Sequence, residues 1–111
     1  MHPATSSGSA TVPLRIPGGS DKAIRVEHRV SGADANPYLV MAAVLAGIHH
    51  GITNNVMPQD PISGDGYESE QGVDLPIRWP VALTAFEEGT ILKQYFGEKW
   101  CDAFHTARSF E

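Results

Sequence analysis

Residues 37–52, PYLVMAAVLAGIHHGI, constrain the fold more than any other stretch of this chain. Asn36 is a good N-cap, and Pro37 suits the first helical position, where its missing N–H costs nothing. From Leu39 to Ile48 no residue is polar apart from the small Gly47. A helix that is apolar all round packs on several sides, unlike an amphipathic surface helix. His49 and His50 fall in its last turn, and Gly51 suits the position just past its end. The rest of the fold must therefore be built around one enclosed helix.

The chain offers limited material for that enclosure. Its 111 residues make at most one domain, and 41% of them are apolar. The formal charge is −5, from 8 Lys+Arg against 13 Asp+Glu. That balance excludes a nucleic-acid binder and a binder of anionic membranes, both of which need a net basic face. No run approaches the roughly 18 apolar residues of a membrane span. Cys101 is the only cysteine, so no internal disulfide forms. A reducing, cytoplasmic setting is the simplest match.

Residues 1–13, rich in Ser, Thr, Ala, Gly and Pro, read as a flexible tail without signal-peptide character. Leu14–Pro17 is a short extended piece, 18–21 (GGSD) is a turn, and 23–30 is a strand expected to pair with 14–17 as a hairpin. SGADAN (31–36) is a loop. Residues 53–78 have no clear period, and so long a segment in a small domain is expected to wrap over a neighbouring surface. A helix starts near Trp79, with Pro80 in its first turn, and stops at Gly89. Another starts near Thr90. Leu92, Phe96, Trp100, Phe104 and Ala107 form one stripe of it, and Gly97 is the place where it can split. No Gly, Asn or Pro closes it at HTARSFE, so the sequence is expected to be cut there. The class is α+β: short antiparallel strands backed by about three helices.

The cations are few, and their positions are uneven. Arg15, Lys22, Arg25 and Arg29 lie within fifteen residues of one another. In IRVEHRV (24–30) Arg25, Glu27 and Arg29 alternate with Ile24, Val26, His28 and Val30. On a strand the three charged residues project to one side, about 7 Å apart at each step, while Val26 and Val30 face the core. Two arginines keep the carboxylate between them ionised, the form that a hard divalent cation requires. Guanidinium groups match phosphate and carboxylate oxygens in a planar, bidentate way. The pattern also fits a solvent-facing strand whose ion pairs contribute only about 0–1 kcal/mol each. Spacing alone leaves both readings open.

The longer string LRIPGGSDKAIRVEHRVSGADANPYLVMAAVLAGIHHGI resembles the C-terminal catalytic region of glutamine synthetases. Members carry an R-I-P segment, a short loop with Lys, R-[IV]-E-x-R, and an A-N-P-Y-L segment opening an apolar helix. The resemblance continues more loosely through DLPIRWPVALTAFEEG and YFGEKW. RVEHR and GADANPYL are most similar to the γ-glutamylpolyamine synthetase branch of that superfamily.

The resemblance implies a role for each position. Glu27 matches a ligand of the divalent metal near the ATP phosphates, Mg²⁺ or Mn²⁺. Arg29 matches the catalytic arginine that contacts substrate glutamate and the transferred phosphate. Arg15, Lys22 and Arg25 match positions that contact ATP. The implied reaction activates a glutamate γ-carboxylate with ATP, giving γ-glutamyl phosphate that ammonia or a polyamine attacks. A homo-oligomer is implied for full-length members. Ala10 stands where members usually carry another arginine, and the upstream metal ligands lie outside this sequence. Residues 14–111 are thus expected to be a C-terminal fragment, inactive as a ligase alone. Two rivals remain: glutamine synthetase proper, and a non-catalytic remnant acting as an interaction module.

His49 and His50 point about 100° apart on a helix and cannot readily share a metal. His28 faces away from Glu27. Cys101 and His105, at i and i+4, have zinc-ligand geometry but supply too few ligands. Tyr67, Glu68 and Glu70 are expected in a solvated loop, with a subunit-contact or substrate loop as the alternative.

Overall fold

A computed structural model of the chain describes residues 13–62 and 75–111. The elements in chain order are β1 (Leu14–Arg15), a one-turn 3-10 helix (Asp21–Ala23), β2 (Glu27–His28), α1 (Pro37–Thr53), α2 (Trp79–Glu88), α3 (Ile91–Phe96) and α4 (Glu98–Arg108). This is the expected α+β class, with one antiparallel strand pair. Four α-helices appear among the described residues, because the expected last helix is divided. Apart from Pro13, the expected tail lies outside the described residues, as do Tyr67, Glu68 and Glu70. The chain divides into two compact units. Described residues 13–40 and 57–62 belong to the first, and 41–56 and 75–111 to the second.

The first unit holds the strand pair. β1 and β2 run antiparallel, with Leu14 opposite His28 and Arg15 opposite Glu27. One further bond, from Arg29 N–H to the Pro13 carbonyl (2.9 Å), extends the ladder. The hairpin is present, but the strand expected over 23–30 shortens to two residues. Pro13 and Pro17 bracket β1 and carry no N–H, so β1 has no backbone donor at either flank with which to carry the ladder further. Residues 21–23 instead curl into the 3-10 turn, closed by Ala23 N–H donating to the Ser20 carbonyl (2.8 Å). Val26 and Val30, expected to face a core, are 62% and 51% exposed. Two paired residues per strand offer too little face to bury them.

α1 begins as its sequence requires. The Asn36 side-chain oxygen accepts from the N–H groups of Tyr38 (3.0 Å) and Leu39 (3.3 Å), satisfying two otherwise orphaned donors. Its end differs. Gly51 was expected to close the helix, yet the helix continues to Thr53. Asn55 takes the left-handed conformation at φ +50°, a role that asparagine tolerates. Val56 N–H then donates to the Gly51 carbonyl (2.9 Å) and Asn55 N–H to the Ile52 carbonyl (3.3 Å). These two bonds make a Schellman closure.

In the second unit α4 packs against α2 and α3. Their apolar residues meet one another. Phe96 lies 5.2 Å from Trp100, Trp100 stacks on Phe104 at 5.2 Å, and Phe86 reaches Phe104 at 5.3 Å. Cys101 is fully enclosed beneath them. The Trp79 indole N–H donates to the Arg108 carbonyl (3.3 Å), tying the start of α2 to the end of α4. Gly97, at φ +85° and ψ 146°, separates α3 from α4 in a conformation that side chains rarely adopt. α4 ends at Arg108, where Ser109 N–H caps the His105 carbonyl and the Ser109 hydroxyl donates to the Thr106 carbonyl.

The expectation of an enclosed α1 is not met. Ala46 is its one buried residue, while Met41, Leu45, Ile48 and Ile52 stay open.

Candidate functional site

The strand register brings three of the sequence-selected charges together. Arg15 and Glu27 stand directly opposite each other on the ribbon, so their side chains share a face. Arg15 Nη1 donates to Glu27 Oε2 at 2.9 Å. Arg25, two residues before Glu27, lies on that face as well, and its Nη2 donates to Glu27 Oε1 at 2.9 Å. Each carboxylate oxygen is thus held by a different guanidinium. Arg25 is steadied from behind, because its Nη1 also donates to the Ala23 carbonyl (3.3 Å) at the end of the 3-10 turn.

The three side chains differ in exposure. Arg25 is 58% exposed, whereas Arg15 and Glu27 are 31% and 28% exposed. Arg15 Nε is buried without a hydrogen-bond partner. A guanidinium has five donors in a fixed fork, so this arginine holds Glu27 with one end and keeps an unsatisfied donor beside it. Partial desolvation pushes the Glu27 carboxyl up. The Arg25 hydrogen bond and the charge and hydrogen bond of Arg15 outweigh that, and the group is held below its ordinary value. Glu27 is therefore ionised throughout the neutral range.

The other selected residues are placed less decisively. Lys22 is exposed on the 3-10 turn and forms no ion pair with Glu27 among the described residues. Arg29 follows β2 directly, and its backbone N–H is fixed to Pro13. Among the described residues no group of three or more His, Cys, Asp or Glu side chains could hold a metal ion. Glu27 therefore has no second and third acidic, His or Cys partner beside it among the described residues. Two features had no sequence signal. One is the Ala23 carbonyl that holds Arg25. The other is the contact between His49 Nδ1 and the Tyr95 hydroxyl (2.5 Å), which joins α1 to α3. His50 instead pairs with Asn54, just past the end of its helix. Cys101 and His105 gain no third acidic, His or Cys partner in metal-holding arrangement among the described residues. The thiol is buried, and His105 Nε2 faces Glu87 Oε2 at 3.6 Å.

The ribbon thus presents an ionised carboxylate between two guanidinium groups, and an asparagine-capped apolar helix follows it in the chain. The family that carries it is now identified: the model of the glutamine synthetase catalytic domain matches residues 3–111, and the chain belongs to the glutamine synthetase family. Among curated relatives, it is 50% identical to γ-glutamylputrescine synthetase PuuA of Escherichia coli (strain K12) over 101 residues. That match covers 91% of this chain and 21% of the relative. It is 33% identical to a glutamate–isopropylamine ligase of a Pseudomonas species over 103 residues, covering 91% of this chain and 22% of the relative. It is 35% identical to type-1 glutamine synthetase 2 of Dictyostelium discoideum over 113 residues, covering 98% and 22%. The chain therefore spans about a fifth of the length of these relatives. No solved structure matches it. Among the described residues no helix is long and apolar enough to cross a membrane.

Proposed function

We propose that this chain is the phosphate-gripping part of an ATP-dependent ligase that joins the γ-carboxylate of glutamate to an amine, with a polyamine as the favoured acceptor. One observation carries the reading: Arg15 and Arg25 converge on one carboxylate while the buried Nε of Arg15 keeps an unsatisfied donor. The half-identity to a γ-glutamylputrescine synthetase supports the choice of acceptor.

These residues fit the groups that the reaction needs. Arg15 and Arg25 bind and orient ATP phosphate oxygens through their forks, with Lys22 adding a point charge from the turn. Arg29, at the end of the ribbon, holds the substrate carboxylate and the phosphate in transfer. Glu27 is the chain's own ligand for a divalent cation, Mg²⁺ or Mn²⁺, which neutralises phosphate charge when bound. Catalysis in such a site consists mostly of positioning and of fixed charge opposite the moving phosphoryl group. The γ-carboxylate attacks the terminal phosphorus, ADP leaves, and the amine then displaces phosphate from γ-glutamyl phosphate. Full-length protein is read as a cytoplasmic homo-oligomer.

The test is ADP release by full-length protein with ATP, Mg²⁺, glutamate and either putrescine or ammonia. Putrescine is the expected better acceptor. Preference for ammonia moves the assignment to glutamine synthetase proper, and no turnover with either sinks it. The 111-residue chain alone is expected to show no turnover, because it offers Glu27 without a second and third metal ligand among the described residues. That shortage also favours the second reading, a non-catalytic remnant. Titration of the chain with Mg-ATP separates the two, since a remnant shows no binding at millimolar nucleotide.

A further inference from the structure

The open side of α1 carries a regular pattern. Met41, Leu45, Ile48 and Ile52 are between 50% and 73% exposed. They follow one another at steps of four, three and four residues. At 100° per residue all four fall within one stripe about 60° wide. The used side of the helix lies elsewhere. Ala46 is buried, and His49 turns to the Tyr95 hydroxyl of α3. Neither belongs to the stripe.

The charge pattern selects the occupant. No Asp, Glu, Lys or Arg lies between Asp34 and Asp60. A helix that rests on a lipid surface carries cations beside its apolar face, and a partner steered by charge needs charge to meet. Neither condition holds here. The surface that matches an uncharged apolar stripe is another of the same kind, and a second copy supplies one.

The stripe also fits itself, because steps of four, three and four read the same in both directions. Take an antiparallel pair with its two-fold axis level with the bond between Ala46 and Gly47. Met41 then meets Ile52 of the second copy, and Leu45 meets its Ile48, each contact occurring twice. Three- and four-residue steps are the spacing of a two-helix seam. Antiparallel packing sets each helix N-terminus beside the other's C-terminus, where the partial charges attract. Four side chains this open present on the order of 400 Å². The pair buries about 800 Å² in total, less than the roughly 1,200 Å² at which stable interfaces begin, so it forms and parts reversibly.

We infer that the stripe of Met41, Leu45, Ile48 and Ile52 is the interface of a weak, two-fold, antiparallel dimer of this chain. The inference does not draw on the ligase reading, and either can fail without the other.

Sedimentation equilibrium of the 111-residue chain, from about 1 μM to about 1 mM, tests it. The weight-average mass is expected to rise from 12.0 kDa towards about twice that value over this range. Leu45→Glu buries a carboxylate in the seam and should weaken the dimer at least about tenfold. Ile77→Glu, at a position 94% exposed and outside α1, should leave it unchanged. Leu45→Lys combined with Ile48→Glu places opposite charges across the two-fold axis, so this double variant should dimerise more tightly than either single one. A parallel pair would set like against like and show no such recovery, which overturns the antiparallel seam. A chain that stays at monomer mass throughout overturns the inference. So does equal weakening by Ile77→Glu, which indicates general stickiness, and so does a monomer that cosediments with phosphatidylcholine vesicles, which assigns the stripe to lipid. Circular dichroism reports folding. If Leu45→Glu does not fold, Ile52→Glu, at the most open of the four positions, takes its place with the same expected loss.

Discussion

Gly47 and Gly97 both lie in the second unit, and both have open space where a Cβ would go. Alanine should nevertheless act on them with opposite sign. Gly47 sits inside α1 with ordinary helical geometry. Replacing it removes the backbone freedom of glycine in the unfolded chain, and Gly47→Ala is expected to stabilise by about 0.5–1 kcal/mol. Gly97 holds φ +85° and ψ 146°, a region nearly closed to other residues. Nothing lies within 4 Å of its added methyl, so the cost is backbone strain without a clash. Gly97→Ala is expected to destabilise by about 1–3 kcal/mol. Urea unfolding followed by Trp79 and Trp100 fluorescence and by helical circular dichroism measures both. For a chain of this size each kcal/mol shifts the midpoint temperature by roughly 4 °C. Two shifts of the same sign, or an unchanged Gly97→Ala, would refute the account of how α3 turns into α4.

Further outcomes follow from the same geometry. Asn36→Ala should cost about 0.5–2 kcal/mol, the ordinary price of a lost N-cap, visible as a lower urea midpoint with fraying of the first turn of α1. Burial pushes the Cys101 thiol up and Asp102 adds to this, with only Lys93 opposing. A disulfide reagent at neutral pH should therefore modify Cys101 slowly in the folded chain and at once in denaturant; fast labelling of the native chain would contradict the packing. Glu27 has a folded pKa below its unfolded value, so its clasp contributes stability above the ordinary carboxylate range and loses it as pH falls through the folded pKa. NMR titration of its carboxyl carbon should show this low midpoint, and Arg25→Gln should raise it. A midpoint at or above the ordinary value would disprove the double clasp.

Legibility varied with the range of the signal. The Asn36–Pro37 start of α1, the Trp79–Gly89 helix and the break at Gly97 were readable, because each depends on a residue acting on its own few neighbours. The charge cluster on the ribbon was readable for a related reason. Alternation alone puts Arg25 and Glu27 on one face once any strand forms. The end of α1 was misplaced, since Gly51 and Asn55 are both acceptable closures and local rules do not rank them. The strand over 23–30 was overlong, because the two prolines that limit it belong to the partner strand.

By itself, then, the amino-acid order determined the α+β class, the helix starts, the family and the charges that alternate along the ribbon. Those properties follow from side-chain chemistry, backbone restriction and short-range spacing. Tertiary structure alone decided that Arg15 stands opposite Glu27, that two guanidinium groups each take one carboxylate oxygen, and that Cys101 lies enclosed while most of α1 stays open. Each of these depends on which distant segments meet and in what register, and a one-residue slip would send every strand side chain to the other face.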